Sequence, residues 1–384
     1  MRIGLSISNS AQRIAYYSLI SDFEIAHPDI KIKVTAFTSE VYKEKFPTLL
    51  STKSFDILYW HAGQRLYEFI QQQQVASISN LYQKEKLFEI FDTSVISSIS
   101  TQEEVYALPT SYYQIGFYYN VSLFNKLGLV KPDTWKQFLN ICDQLKANNI
   151  TPIFIGTKSN WPATAWFDYL NLRINGLDYH RQLLSGNVSF LDPKVRQVFT
   201  NLKLLVDSNY FISNHKQYSW KEGIAPLFRG VTGMAMFGNY AMQDFPQNNA
   251  TEIGYFKFPM FDENQTQYFE EVPLDVLLIP SNSDQKHLAE VFLKFAAQSE
   301  NQQRLNQVLG VMSPNKFAQV NNLALAQQAY EIISNASGIT QFFDRDANSH
   351  FAENVMPIID DFLTNPDINS TLSQLEKVRL NLFP

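Results

Sequence analysis

Aromatic rings accompanied by amide and carboxylate side chains are the residues of this sequence most suited to chemistry. A ring face matches the C–H face of a pyranose, and planar amides or carboxylates bind pairs of adjacent hydroxyls. The candidate rings are Trp60, Trp161 and Tyr240, and their polar partners are Asn9, His61, Gln64, Asn160, Asn239 and Asp275. Together they predict a carbohydrate-binding site. For each ring the alternative is packing in a hydrophobic core.

Two further tryptophans are treated differently. Trp166 follows Trp161 by five residues, directly after the loop 156–159, and joins the candidate site. Trp135 is the first residue of a segment that Thr134 and Gln137 mark as a capped helix, so we expect it to pack in a core.

Signatures of catalysis are absent from the sequence. Gly233 and Gly238 have the spacing of a phosphate loop, but Asn239-Tyr240 follows where a lysine and a hydroxyl residue are required. The six histidines form no HxH or HExxH pair, and no G-x-S-x-G motif occurs. We therefore expect no enzyme, no metal and no cofactor.

The single cysteine and the paired carboxylates also give no indication of catalysis. The single cysteine, Cys142, lies on the apolar face of a predicted helix, where it acts as a small hydrophobic residue. The pairs Asp344/Asp346 and Glu103/Glu104 could suggest a glycosidase or lyase, but we interpret them as solvated.

Composition excludes other classes of protein. The 384 residues carry a net charge of −6, which argues against a nucleic-acid partner or a basic membrane-binding face. Only 14 glycines leave little material for nucleotide-binding loops. No run of about 18 apolar residues predicts a transmembrane helix.

The first 60 residues alternate between strand and helix patterns. Strands are predicted at 3–7, 30–36 and 55–60, with helices between them, which is typical of an α/β sheet with right-handed crossovers. Sites in such sheets lie beyond the carboxyl ends of the strands. This places Ser8–Ser10 and Trp60–Gly63 together. Further on, residues 105–120 are predicted to be extended. Helices then dominate to about residue 235, strands are predicted at 255–261 and 275–279, and helices follow from 284.

Several segments, taken in order, resemble the bacterial ABC-transporter extracellular solute-binding proteins of family 1, the sugar-binding group similar to maltose-binding protein. Each motif is short, but their series covers nearly the whole chain. The matching segments are Phe23–Val34, Phe55–Trp60, Leu108–Asn120, Leu123–Phe124, Gly128–Leu129, Pro132–Trp135, Gly230–Tyr240 and Val311–Pro314.

The resemblance implies a two-lobed periplasmic binding protein fold of type II. Each lobe has a central sheet flanked by helices, with a ligand cleft between the lobes. The implied N-terminal lobe is 1–109 plus about 265–312, and the C-terminal lobe is 110–264 plus about 313–384. Hinges are expected near 107–112, 257–273 and 310–315.

The resemblance also implies a function. The protein would capture a mono- or oligosaccharide between closing lobes and deliver it, as a monomer, to the transmembrane permease of an ABC importer. A ligand-sensing role for a receptor or two-component kinase is the alternative. The family's ligand loops add Ser8, Tyr112 and Tyr113 to the candidate residues.

Two matters stay open at this stage. The acidic and lysine side chains of the maltose-binding pattern are replaced here, which favours a smaller neutral saccharide, while Arg65, Arg173 and Arg229 keep an acid sugar possible. The N-terminus shows no secretory signal, so the chain is either cytosolic or a mature form. The resemblance favours a periplasmic or extracellular, membrane-associated protein whose signal peptide has been removed.

Overall fold

Two compact units make up the computed structural model, which describes residues 1–246, 252–262, 264–319 and 324–383. The first unit is Met1–Tyr113 with Pro273–Gln327, and the second is Gln114–Val272 with Gln328–Pro384. Of the predicted hinge 257–273, residue 263 lies outside the described residues.

The elements up to residue 113 alternate as the sequence predicts. They are β1 (Arg2–Ser6), α1 (Ser10–Ala26), β2 (Lys33–Phe37), α2 (Ser39–Ser51), β3 (Ile57–His61), α3 (Gln64–Gln71), α4 (Ser79–Lys84), α5 (Thr93–Ser97), β4 (Ser100–Thr101), β5 (Glu104–Val105) and β6 (Ala107–Tyr112).

The stretch 114–272 contains β7 (Ile115–Asn120), α6 (Val121–Leu127), α7 (Trp135–Ala147), β8 (Thr151–Phe154), α8 (Trp161–Asn175), α9 (Leu177–Leu184), α10 (Pro193–Asp207), α11 (Ile224–Phe228), β9 (Thr232–Gly238), β10 (Ile253–Phe256) and β11 (Phe269–Glu271). The remaining elements are β12 (Leu274–Leu278), α12 (Lys286–Ala297), α13 (Ser299–Leu309), α14 (Ala324–Ser334), β13 (Gly338–Thr340), α15 (Phe343–Asp346), α16 (Ser349–Phe362) and α17 (Ile368–Leu382).

The first unit is built on a five-stranded sheet in the order β2-β1-β3-β12-β6. β1 runs parallel to β2 and β3, while β12 runs antiparallel to β3 and β6. All five residues of β3 are buried, as expected for an apolar strand inside such a sheet. On one face the ring of Phe23 in α1 lies 5.0 Å from that of Phe292 in α12. The predicted α/β class is confirmed.

The stretch 310–315, where a hinge is expected, belongs to the first unit. Tyr112 and Met312 exchange two main-chain hydrogen bonds of 3.0 Å. The Asn315 amide donates to the Ala297 carbonyl at 2.9 Å. These bonds tie the stretch to β6 and α12, and the chain enters the second unit only inside α14.

The second unit has a four-stranded sheet in the order β10-β7-β9-β8. β8 is parallel to β9, whereas β7 is antiparallel to both β9 and β10. Strand β9 lies where the sequence predicts mainly helix, so that prediction is wrong. Its seven residues are all buried, and a Cβ on Gly233 would lie 2.4 Å from the Leu145 side chain. Because α7 packs closely on β9, a small residue is required at position 233. The strand therefore lacks the alternation of apolar and polar residues that would predict it.

Helix α8 runs through the core of the second unit. Its residues from Pro162 to Arg173 are all buried. Helix α7 begins at the predicted capping box, in which Thr134 and Gln137 hydrogen-bond reciprocally to main-chain groups. A short parallel pair, β11 with β13, joins the two stretches of sequence that form this unit.

Candidate functional site

The first unit gathers polar side chains at one edge of its sheet. The carboxyl ends of β1, β3 and β6 meet there with the start of β12, because β12 pairs antiparallel with both β3 and β6. In that register Asp275 lies opposite His61 and Ser111. We call Ser8, Asn9, His61, Tyr112 and Asp275 the polar edge.

His61 and Asp275 form the central contact of the polar edge. The His61 Nδ1 atom lies 3.3 Å from Asp275 Oδ1, and their side chains are 9% and 15% exposed. Because a carboxylate only accepts hydrogen bonds, the imidazole is the donor of this pair. A carboxylate is an acceptor of hydrogen bonds, which is the chemistry that a sugar hydroxyl group needs.

Ser8 and Asn9 are exposed at the start of α1, and both take part in local structure. The Asn9 carbonyl oxygen caps the helix by accepting from the Gln12 N–H at 2.8 Å. Ser8 Oγ lies 2.7 Å from Ser39 Oγ and accepts from the Ser39 N–H. Gln64 begins α3, after Gly63 with its positive φ of 84°. Tyr112 ends β6 and, like Tyr113 after it, is half-buried.

The structure places Trp60 in the core of the first unit. Its ring is stacked on Phe46 with centroids 3.5 Å apart and planes 9° from parallel. The indole N–H donates to the Arg65 carbonyl, and the residue is 4% exposed. The face that a sugar would need is covered by Phe46, so core packing accounts for this ring and we leave it out of the site.

The second unit presents aromatic rings at one edge of its sheet. β8 and β9 end at this edge and the antiparallel β7 begins there. The segments Asn160-Trp161 and Asn239-Tyr240 follow β8 and β9 respectively. We call Trp161, Trp220, Tyr240 and Phe342 the aromatic edge.

Tyr240 is held in a defined place on the aromatic edge. A Cβ on Gly238 would lie 2.2 Å from Tyr240 Cε1, so the ring rests directly against the glycine. The Trp220 ring makes a T-shaped contact with it, with centroids 5.0 Å apart. Sequence reasoning did not single out Trp220 as a candidate. Its contact with Tyr240 joins parts of the chain that no local pattern connects.

Trp161 is half-buried at the start of α8, with its centroid 5.8 Å from that of Phe342. Asn160 precedes it and makes no capping hydrogen bond with its side chain. The Arg345 guanidinium lies over the other ring of this pair, 5.6 Å from the Phe342 centroid. Sequence reasoning did not single out Phe342, which directly precedes the four-residue helix α15, or Arg345, which lies within it.

Two predicted site residues of the second unit are fully enclosed. Trp166 is 1% exposed and its ring packs edge-on against Phe117, Phe211 and Phe258, so we assign it to the core. Asn239 is also buried, and its side-chain oxygen accepts from the Gln114 N–H at 3.2 Å. Asn239 thus lies beneath the aromatic edge.

Buried carboxyl groups lie deeper in the second unit. Burial raises the pKa of Asp168 to about 8 and raises that of Glu271 well above its ordinary value. After burial, the charge of Asp168 is the next cause that raises the pKa of Glu271. Nearby, burial lowers the pKa of His180 to about 3, so its imidazole is neutral. This group of side chains is internal.

The pair Asp344/Asp346 does not match the prediction that both are solvated. Asp346 Oδ2 accepts from the Thr340 hydroxyl at 2.6 Å and from the Gln341 N–H at 2.8 Å. Burial raises the pKa of Asp346. This carboxylate fixes the turn between β13 and α15, and thereby the place of Phe342.

Other classes of site find no support in the part of the chain that the structure describes. Its His, Cys, Asp and Glu side chains form no cluster of three or more that could hold a metal ion. None of its helices combines the length and apolarity needed to span a membrane. Cys142 is buried, and burial raises the pKa of its thiol well above the ordinary value.

Comparisons with known proteins agree with this fold. An ABC transporter extracellular-binding protein of Pyrococcus horikoshii, itself uncharacterised, is 23% identical over 97% of this chain and 86% of its own length. The multiple sugar-binding protein of Streptococcus mutans is 23% identical over 76% of this chain and 70% of its own.

Among solved structures, the bacterial solute receptor AcbH superposes with a TM-score of 0.92 at 22% identity, covering 100% of this chain and 99% of the receptor. AcbH is described as having an exclusive preference for β-D-galactopyranose. The two-domain α/β binding-protein fold is therefore confirmed.

The model of the bacterial extracellular solute-binding proteins matches residues 9–303, more than three quarters of the sequence. This is a family of binding proteins with extracellular members that serve ABC transport, and its relatives include sugar-binding proteins. The predicted carbohydrate-binding and ABC-transport function is confirmed at that level. The chain belongs to the family of bacterial extracellular solute-binding proteins.

Proposed function

We propose that side chains from both the polar edge and the aromatic edge bind one neutral sugar, which the protein supplies to the permease of an ABC importer. Of the residues predicted from the sequence, Ser8, Asn9, His61, Gln64, Tyr112, Tyr113, Asn160, Trp161, Tyr240 and Asp275 remain candidates for contact with that sugar. Asn239 supports the aromatic edge from beneath it, and Trp60 and Trp166 support the site by packing in the cores of their units.

The observation that carries this proposal is the fixed position of Tyr240. A ring held between Gly238 and Trp220 loses little conformational entropy when a ligand stacks on it. Such a rigid aromatic surface beside amide groups suits the C–H face of a pyranose. The Asp275 carboxylate of the polar edge would supply acceptors for the hydroxyl groups.

A single neutral hexose is the ligand class that we favour. The preference of AcbH makes β-D-galactopyranose the first candidate, since that receptor matches this chain over its whole length. A uronate is disfavoured because its carboxylate would approach Asp275, and like charges repel.

Isothermal titration with galactose, glucose, maltose, raffinose and galacturonate tests the proposal. We expect saturable binding of at least one neutral sugar, and weaker or no binding of galacturonate. Galactitol, the acyclic polyol that corresponds to galactose, serves as the control for non-specific polyol effects. No heat of binding with any sugar would reject the carbohydrate proposal, while preference for galacturonate would reject the neutral class.

We further propose that the protein binds its ligand without chemical change and acts as a monomer outside the cytoplasmic membrane. The most strongly perturbed carboxyl groups, Asp168 and Glu271, are internal, which leaves them without access to a glycosidic bond. Prolonged incubation with raffinose should leave the sugar intact by chromatography. Reconstitution with the permease should make ATP hydrolysis depend on the sugar-loaded protein, and light scattering should give the monomer mass.

A further inference from the structure

A buried ion pair lies inside the second unit. Arg173 is 2% exposed, and its guanidinium donates to the carbonyls of Phe258 and Phe269 and to Glu270 Oε1. Glu270 is fully buried. Replacing a buried ion pair by apolar residues is often neutral or stabilising, so stability alone is a weak reason for such an arrangement.

The second oxygen of Glu270 connects the ion pair to Gln114. Glu270 Oε2 accepts from Gln114 Nε2 at 2.8 Å and lies 2.9 Å from the Tyr169 hydroxyl. The Gln114 side-chain oxygen accepts from the Tyr255 hydroxyl. Both ends of the Gln114 amide are thus engaged, and the residue is fully buried.

The main chain of Gln114 continues the connection to the end of β9. Its N–H donates to Asn239 Oδ1 at 3.2 Å, and its carbonyl accepts from the Asn239 N–H at 3.1 Å. Asn239 is followed directly by Tyr240. A continuous set of buried hydrogen bonds therefore runs from Arg173 to Asn239, the residue directly before Tyr240.

We propose that Gln114, held by Glu270 and Arg173, is a positioning residue for sugar binding: it fixes the Asn239–Tyr240 segment in the place where the Tyr240 ring meets the ligand. This inference rests on the proposed function. It adds residues that do not touch the sugar but determine its affinity. The side chains of Glu270 and Gln114 are hydrogen-bonded at both of their polar atoms, and satisfied buried groups of this kind make a local structure rigid and specific.

The strand that begins next to Gln114 offers a matched control at its other end. Asn120, the last residue of β7, is also a buried amide, and its Nδ2 donates to the carbonyls of Leu227 and Phe228 at 3.0 and 3.1 Å. Gln114→Met and Asn120→Leu each replace a buried amide by an apolar side chain of similar shape. Both variants should lower the melting temperature.

The affinity of the folded protein separates the two variants. We measure Kd by isothermal titration at 15 °C, with the neutral sugar that the parent protein binds best. Gln114→Met should weaken binding at least tenfold, while Asn120→Leu should stay within twofold of the parent. Tyr255→Phe removes only one hydrogen bond to Gln114 and should weaken binding about threefold, so it serves if Gln114→Met does not fold.

Hydrogen exchange of the sugar-free protein provides a test that needs no ligand. Amides of the peptide 238–245 should exchange at least fivefold faster in Gln114→Met, or measurably faster in Tyr255→Phe, and at the parent rate in Asn120→Leu. Unchanged exchange would overturn the positioning role, as would faster exchange with an unchanged Kd. If the parent protein binds no sugar, the proposed function fails, and the exchange rates still decide the positioning of the segment.

Discussion

The two units position their candidate binding groups by different means. In the first unit, strand register brings Asp275 opposite His61, so backbone pairing fixes the polar edge. In the second unit, the Tyr240 ring is fixed by what it rests on, namely Gly238 and Trp220. Polar contacts of the first kind follow from sheet topology, whereas the aromatic contact depends on a missing side chain at one position.

Trp60 and Tyr240 show this contrast clearly. Trp60 lies near the end of the buried strand β3, and Tyr240 follows shortly after the buried strand β9. Trp60 is stacked face to face on Phe46 and is 4% exposed. Tyr240 makes a T-shaped contact with Trp220 and is half-buried. The fully enclosed Trp60 ring stabilises the fold, whereas Tyr240 lies at the end of its sheet and is the better candidate for contact with a ligand.

The largest expected effect on stability comes from replacing Trp60. Trp60→Ala should lower the free energy of unfolding by about 3–5 kcal/mol, because it removes a large core side chain and leaves a cavity against Phe46. The Kd for sugar should stay within twofold of the parent when measured on folded protein. Urea unfolding and titration at 15 °C check both. A tenfold loss of affinity at unchanged stability would return Trp60 to the binding site.

The sequence predicted the architecture well where local patterns decide it. The strand–helix alternation before residue 61 and the Thr134/Gln137 capping box are both observed. Strand β9 was not predicted, because its glycines serve close packing against α7 and break the alternation that marks a strand.

The separate roles of the aromatic residues could not be predicted, because residue type is the same for a core ring and a binding ring. Phe46, which covers Trp60, lies in a different helix, and Trp220 lies in a different loop from Tyr240. A glycine two residues before Tyr240 was the available signal for a ring lying against the main chain. Sequence reasoning used that glycine to argue against a phosphate loop and within the segment Gly230–Tyr240 of the family resemblance.

Buried carboxyl groups give the second unit a pH dependence. The pKa of Asp168 is raised to about 8, and that of Glu271 is raised well above its ordinary value, both mainly by burial. Between pH 4 and 8 the folded state therefore holds protons that the unfolded state has lost. The free energy of unfolding contributed by each carboxyl falls as pH rises through this window, by up to about 1.4 kcal/mol per pH unit.

Asp168→Asn should remove about half of this decrease in the free energy of unfolding with rising pH. The double variant Asp168→Asn with Glu271→Gln should remove nearly all of it. Urea midpoints at pH 5, 6, 7 and 8 provide the measurement. The control is Asp143→Asn, at a part of the second unit where the carboxylate instead accepts from the Tyr210 hydroxyl at 2.5 Å. An equal slope in the parent and the double variant would contradict the assignment of these protons.

The polar edge should respond most to loss of its carboxylate. Asp275→Asn removes the negative charge that faces His61 and should weaken sugar binding about thirtyfold, since hydrogen bonds to charged groups contribute about 1.5–3 kcal/mol. Glu104→Gln, another carboxylate of the first unit that accepts from Ser77 and Ser79, should stay within twofold. Equal affinities for parent and Asp275→Asn would remove the polar edge from the proposed site.

The aromatic edge can be tested without touching the ring itself. Gly238 has φ −75° and ψ 154°, which alanine adopts without strain, but the added Cβ would lie 2.2 Å from Tyr240 Cε1. Gly238→Ala must therefore rotate the ring, and we expect sugar affinity to fall about tenfold with little loss of stability. Isothermal titration and thermal unfolding check the two quantities.

A second glycine of the same unit makes this a matched comparison. A Cβ on Gly254 would lie 2.2 Å from the ring of Tyr119, which pairs with it near the far end of β7. Gly254→Ala therefore moves a tyrosine ring by the same kind of contact at a place remote from β9's end. If both alanine variants lower affinity equally, ring displacement acts through general loosening of the sheet. If only Gly238→Ala lowers affinity, the space that Gly238 leaves for the Tyr240 ring determines the affinity for the sugar.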